Sequence, residues 1–156
     1  MIRILIDADA CPVKDETYKV AARHKVPVVV VSNSPIRVPQ STLISRKVVS
    51  DAFDAADDWI VETLEASGEA RNVVITADIL LADRCLKLGA SVVAPNGKPF
   101  TSSSIGGAIA TRAIMADLRA GGDVVGGPPP FSKQDRSRFL SALDEVLVRL
   151  LRSGKY

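Results

Sequence analysis

One histidine and two cysteines among 156 residues leave little room for the commonest nucleophile and metal chemistries. Cys11, Cys85 and His24 fall short of the four ligands of a structural zinc site, and two cysteines do not make a disulfide framework. No staple is needed, since a chain of this length buries roughly 68–70% of its unfolded surface. The expectation is a single domain in a reducing, cytoplasmic setting. The lone histidine also disfavours Ser-His-Asp triads and histidine-rich metal sites. Aromatics are scarce at 4% and scattered, which argues against a base-stacking platform. No charge excess exists either: 20 Lys+Arg against 18 Asp+Glu give a net +2, so any nucleic-acid binding must come from a local patch. No run of 18 apolar residues offers a membrane span, and Met1–Ile6 meets acidic residues without the pattern of a signal peptide.

What is present is an alternation of two kinds of segment. Ile2–Ile6 is a short branched apolar run ending at Asp7, and Val28–Val31 is four valines between Pro27 and Ser32-Asn33-Ser34-Pro35. Between them Pro12 suits a first helical turn, and Val13, Thr17, Val20, Ala21 and His24 recur at helical spacing. Strand, helix and strand within about 30 residues make a βαβ unit. Ser32–Ser45 reads as a long polar loop, Lys47–Val49 as a third strand and Ala55–Ala66 as a helix. Asn72–Thr76 is a fourth strand, Ile79–Leu88 a helix closed by Gly89, and Ser91–Ala94 a fifth strand ending at Pro95-Asn96-Gly97. This predicts an α/β fold, a three-layer sandwich around a mostly parallel central sheet. Ser104–Ala120 reads as a helix despite Gly106 and Gly107, residues 121–130 as a Gly/Pro linker, and Ser132–Arg152 as a C-terminal helix packed on the domain. Ser132 and Asp135 approximate a capping box, and Phe139, Leu143, Val146, Leu147 and Leu150 form the apolar face of that last helix.

Open parallel sheets bind ligands outside the carboxyl ends of their strands. Acids gather at those points here. Asp7 and Asp9 follow the first strand, Asp51, Asp54, Asp57 and Asp58 the third, Asp78 the fourth, with Asp83 a helical turn beyond. Two like charges 4 Å apart repel by about 4 kcal/mol at an effective dielectric of 20. Protons or a divalent cation must offset such a cluster, and carboxylate oxygens suit Mg²⁺ or Mn²⁺ in phosphoryl chemistry. The structural alternative is that a strand-end Asp caps the following helix, a role Asp51 and Asp54 fit. Asp7 and Asp9 together exceed what one cap needs.

Asp7-Ala8-Asp9-Ala10-Cys11-Pro12-Val13-Lys14 is an unusual string. With Asp54-Ala55-Ala56-Asp57-Asp58-Trp59-Ile60, Thr76-Ala77-Asp78-Ile79-Leu80-Leu81-Ala82 and Gly127-Pro128 before Phe131, it resembles the YaiI/YqxD family of bacterial proteins over nearly the whole chain. That family is in turn similar to PIN-like and NYN nuclease domains. The resemblance implies a PIN-like domain over residues 1–156 and a metal-dependent nuclease, with RNA as the expected partner. Carried over by position, it implies Asp7 or Asp9, Asp57 or Asp58, and Asp78 as ligands of Mg²⁺ or Mn²⁺, with Asp83 as a further candidate; the expected catalytic set is Asp7, Asp9, Asp57 and Asp78, and the expected ligand set adds Asp58 and Asp83. The Cys-Pro insertion and the added C-terminal helix depart from many such nucleases.

Two other readings stand beside it. Asp7-x-Asp9, Ser32 and Asp78-x4-Asp83 echo the nucleophile, hydroxyl and metal motifs of haloacid-dehalogenase-like phosphatases, although Cys11 stands where Thr or Val is usual. A non-enzymatic module would bind RNA or protein through Ser32–Ser45 and the last helix. Arg37, with Arg46 and Lys47 nearby, and Lys98, with Arg112 and Arg119 further on, follow strand ends, so Arg37 and Lys98 are the expected phosphate contacts. Arg136, Arg138, Arg149 and Arg152 read as a solvated face. Cys11 and Cys85 read as buried apolar residues, and His24 as a last-turn residue favoured by the helix dipole.

Overall fold

The computed structural model describes residues 1–9, 11–52, 54–68, 71–122 and 130–153. Its elements follow the order β1 (Ile2–Asp7), α1 (Lys14–His24), β2 (Val28–Ser32), β3 (Ile44–Val48), α2 (Ala55–Glu65), β4 (Arg71–Ile75), α3 (Ile79–Lys87), β5 (Ser91–Val93), β6 (Pro99–Phe100), α4 (Ile105–Ala120) and α5 (Lys133–Ser153). The sheet order is β3-β2-β1-β4-β5-β6, parallel except for β6.

Period-two alternation explains the layers. Ile2, Ile4 and Ile6 of β1, Val28 and Val30 of β2, and Val73 and Ile75 of β4 point to one face. There they meet Val20 and Ala21 of α1 and Phe139, Leu143, Val146 and Leu147 of α5. Leu5, Val31, Val74 and Val92 point the other way, against Ile60 and Leu64 of α2, Leu81 and Cys85 of α3, and Ile105 of α4. Strands buried on both faces need no polar side, which is why β1, β2 and β4 read as near-continuous apolar runs. The result is the expected three-layer α/β sandwich.

Two strands differ from the sequence reading by more than a residue at a boundary. The third strand begins at Ile44, three residues earlier than expected, because it is an edge strand. It is largely exposed and carries Arg46 and Lys47, charges that protect a free edge and hide the strand's apolar signature. The short β6 was not expected; Pro99 is tolerated there because the strand is at the opposite edge. Gly106 and Gly107 lie in the first turn of α4, so the penalty of an interior helical glycine does not apply. The linker reading falls mostly on residues outside those described.

The last helix is fastened at both ends. Ser132 and Asp135 form the reciprocal capping box, at 3.0 and 3.1 Å. Arg136 is not merely solvated: its guanidinium reaches Glu16 of α1 at 3.3 Å. Arg138 pairs with Asp135 within the helix. His24 does occupy the last turn of α1, and its Nε2 also lies 2.6 Å from Asp144 Oδ1 on α5. Arg71 of β4 donates to the Leu150 carbonyl and to Ser153 Oγ.

Candidate active site

The chain order reverses direction between β1 and β4, the switch point where an open sheet leaves a crevice. Register places the ends of these strands side by side. Ile6 pairs with Ile75, so Asp7 and Thr76 stand one step further along their strands. The Thr76 hydroxyl donates to Asp7 Oδ2 at 2.8 Å and accepts from the Asp78 amide at 3.0 Å. Asp78 then caps α3: its Oδ1 accepts from the amides of Leu80 and Leu81 at 2.9 and 3.2 Å. Asp9, past the end of β1, accepts at Oδ2 from the Asn33 amide, 3.1 Å away at the end of β2.

These groups open on a cleft of about 490 Å³ whose walls carry six aspartates: Asp7, Asp9, Asp51, Asp54, Asp57 and Asp78. Among the described residues none of the six is ion-paired to a lysine or arginine. The electrostatic consequence falls on Asp57, in the first turn of α2. Burial, then the charges of Asp78, Asp7 and Asp54, raise its carboxyl to about 7 from 3.8. Burial also raises Asp7, and the Thr76 hydrogen bond opposes that rise.

Four of the sequence-derived residues, Asp7, Asp9, Asp57 and Asp78, thus share the cleft. Asp58 and Asp83 do not line it. One step along α2 turns a side chain by about 100°, and Asp58 faces Arg84 of α3 at 3.1 Å. Asp83 pairs with Lys87 one turn on, at 3.0 Å. The cap reading of Asp51 and Asp54 also changes. Asp54 occupies the N-cap position of α2 but in a left-handed conformation (φ 63°) with no cap hydrogen bond, and both side chains face the cleft. Their position after the third strand was the only sequence signal. Arg37 and Lys98 are exposed and stand outside the cleft lining.

Cys11 lines the cleft but is buried, and burial pushes its thiol up, away from the thiolate a nucleophile needs. Cys85 is fully buried and pushed up to about 12. The phosphatase reading loses two of its parts, because the buried Ser32 hydroxyl donates to the Ser34 carbonyl and Asp83 is outside the cleft.

The charged groups of the lining are all carboxylates, the chemistry of a hard divalent cation. Among the described residues no three acidic, histidine or cysteine side chains are drawn together tightly enough to enclose an ion.

Among the described residues no helix is long and apolar enough to cross a membrane. No solved structure matches this chain. A UPF0178 protein of Sphingopyxis alaskensis is 70% identical over 150 residues, covering 96% of this chain and 95% of that one. A UPF0178 protein of Rhodopseudomonas palustris is 55% identical over 152 residues, covering 97% and 94%. The profile of the YaiI/YqxD family, described as uncharacterised, matches residues 5–149. With nearly every element and the whole cleft inside that match, the chain belongs to the YaiI/YqxD family.

Proposed function

We propose that the cleft is a metal-dependent phosphodiesterase centre, a nuclease site acting on RNA, in which Asp7, Asp9, Asp57 and Asp78 hold Mg²⁺ or Mn²⁺. One observation carries the reading: six aspartates from three segments line one crevice at the switch point, and among the described residues no lysine or arginine lines it with them. A structural role would call for capping bonds or ion pairs; among the six, Asp78 alone caps a helix. The resemblance to PIN-like nucleases supports the same chemistry.

A bound divalent ion would supply positive charge to phosphate oxygens and acidify a water. The chain's own residues do the positioning. Thr76 holds Asp7 by a donated hydrogen bond, and the α3 amides hold Asp78 by Oδ1. Asn33 holds Asp9. Asp57, whose carboxyl is raised to about 7 by burial and the neighbouring carboxylates, would give up its proton to take the cation.

The test is cleavage of single-stranded RNA by the purified chain with Mg²⁺ or Mn²⁺, with chelator, and with Asp9→Asn and Asp78→Asn. Cleavage is expected to require the ion and to fall by about 100-fold or more in each variant. Cleavage retained in both variants, or undiminished by chelator, overturns the proposal.

A further inference from the structure

We propose that the free edge of the sheet beside the cleft is a track for single-stranded nucleic acid, in which Lys47 takes a backbone phosphate and Trp59 offers its ring to the adjacent base. This rests on reading the cleft as a phosphodiester centre, to which the track is the approach.

Charge is segregated along the chain in a way the near-neutral total conceals. No aspartate or glutamate occurs between Glu16 and Asp51, and the segment from Asn33 to Ser50 carries Arg37, Arg46 and Lys47. That segment is the loop into β3 and the edge strand itself. Exposed cations therefore flank an acidic cleft on the side of β3, the sign a polyanion needs before it reaches a site that would otherwise repel it.

Register connects the two. Asp7 pairs with Val31, and Val31 pairs with Lys47. Cross-strand partners share a face, so the three residues form a row on the α2 side of the sheet, with Lys47 and Asp7 about 10 Å apart at roughly 4.8 Å per strand. A nucleotide or two of an extended strand covers that distance. Four residues beyond Lys47 the chain reaches Asp51 in the cleft wall. Over the row, the Lys47 ammonium lies 6.0 Å from the centroid of the partly exposed Trp59 ring. A phosphate that draws the ammonium to itself frees that ring face for stacking, so one ring suffices without a platform. Around the edge, Arg46 donates to the Ile36 carbonyl at 3.0 Å and shares a surface depression with Arg37, extending the basic surface.

Trp59 is the sole tryptophan, so its emission reports this place alone. The experiment titrates the full chain, in chelator, with a short oligouridylate, the matching oligodeoxythymidylate and an RNA duplex, reading Trp59 emission and the anisotropy of labelled strand. Saturable change in emission with the single strands is expected, weakening steeply with salt. Lys47→Ala should weaken binding about fivefold and lower the salt slope by about one, and Lys47→Glu should weaken it further. Trp59→Leu should cost about tenfold. Lys47 is exposed on the edge strand, so its variants keep the fold even if Trp59→Leu does not. Emission that does not move, affinity unchanged by Lys47→Glu, or duplex bound as tightly as single strand overturns the track. Lys47-dependent binding without metal-dependent cleavage removes the nuclease reading and leaves the track. Cleavage unaffected by Lys47→Glu does the reverse.

Discussion

The Thr76 hydroxyl donates to Asp7 Oδ2 at 2.8 Å while accepting from the Asp78 amide at 3.0 Å, so one buried side chain sets the positions of two carboxylates on different segments. Thr76→Val keeps the shape and removes both bonds. The Asp78 amide and Asp7 lose partners, a cost of about 1–3 kcal/mol in urea denaturation near neutral pH. The Asp7 carboxyl, no longer stabilised as the anion, should titrate at still higher pH. Carboxyl-carbon NMR checks this; an unmoved Asp7 titration rejects the linkage.

Asp57 makes the metal-free protein sensitive to pH. Its carboxyl rises from 3.8 to about 7 on folding, so the folded state favours the protonated acid. That contribution is present at acid pH and is lost as pH rises through the interval from 3.8 to about 7, with Asp7 acting in the same sense. In chelator, urea midpoints should therefore fall across this interval. Asp57→Asn should flatten the fall and be the more stable protein above about pH 7. A wild-type profile parallel to that of Asp57→Asn would contradict it.

Asp78 caps α3 and faces the cleft, and two substitutions separate these roles. Asparagine caps as well as aspartate, whereas alanine loses about 1 kcal/mol. Asp78→Asn should therefore melt near the wild type and Asp78→Ala below it. Calorimetric titration with Mn²⁺ should show both variants weakened. Equal stability of the two variants would mean that the cap contributes nothing.

Gly97 closes the turn between β5 and β6 at φ 88°, and a Cβ there would meet Arg138 backbone carbon at 2.6 Å and the Phe139 nitrogen at 2.7 Å. Gly97→Ala combines a left-handed backbone with a clash against the backbone of α5. A loss of at least about 2 kcal/mol in denaturant unfolding is expected, with faster proteolysis of α5. Loss below about 0.5 kcal/mol would show that α5 can move away freely.

The parts of the fold visible in the residues were those whose environment is uniform. β1, β2 and β4 are buried on both faces over most of their length, so apolar residues dominate them, with Arg3, Arg71 and Asn72 confined to the strand starts. Ile44–Val48 is paired on one side only, and its exposed Arg46 and Lys47 obscure it. The same distinction governs the site. Asp7, Asp9 and Asp78 were legible because strand ends are marked by where apolar runs stop. Asp57 and Asp58 are adjacent in sequence, and nothing local says which faces the cleft.

The sequence by itself determined the alternation of elements, the parallel sheet and the rim at which acids must gather, because periodicity and chain breaks are local properties. Tertiary structure decided membership of the cleft. Helix phase gave Asp58 to Arg84, a one-turn ion pair gave Asp83 to Lys87, and a left-handed backbone turned Asp54 from a cap into part of the cleft wall. It also set Lys47 in a row with Asp7, because cross-strand register depends on segments 40 residues apart meeting in space.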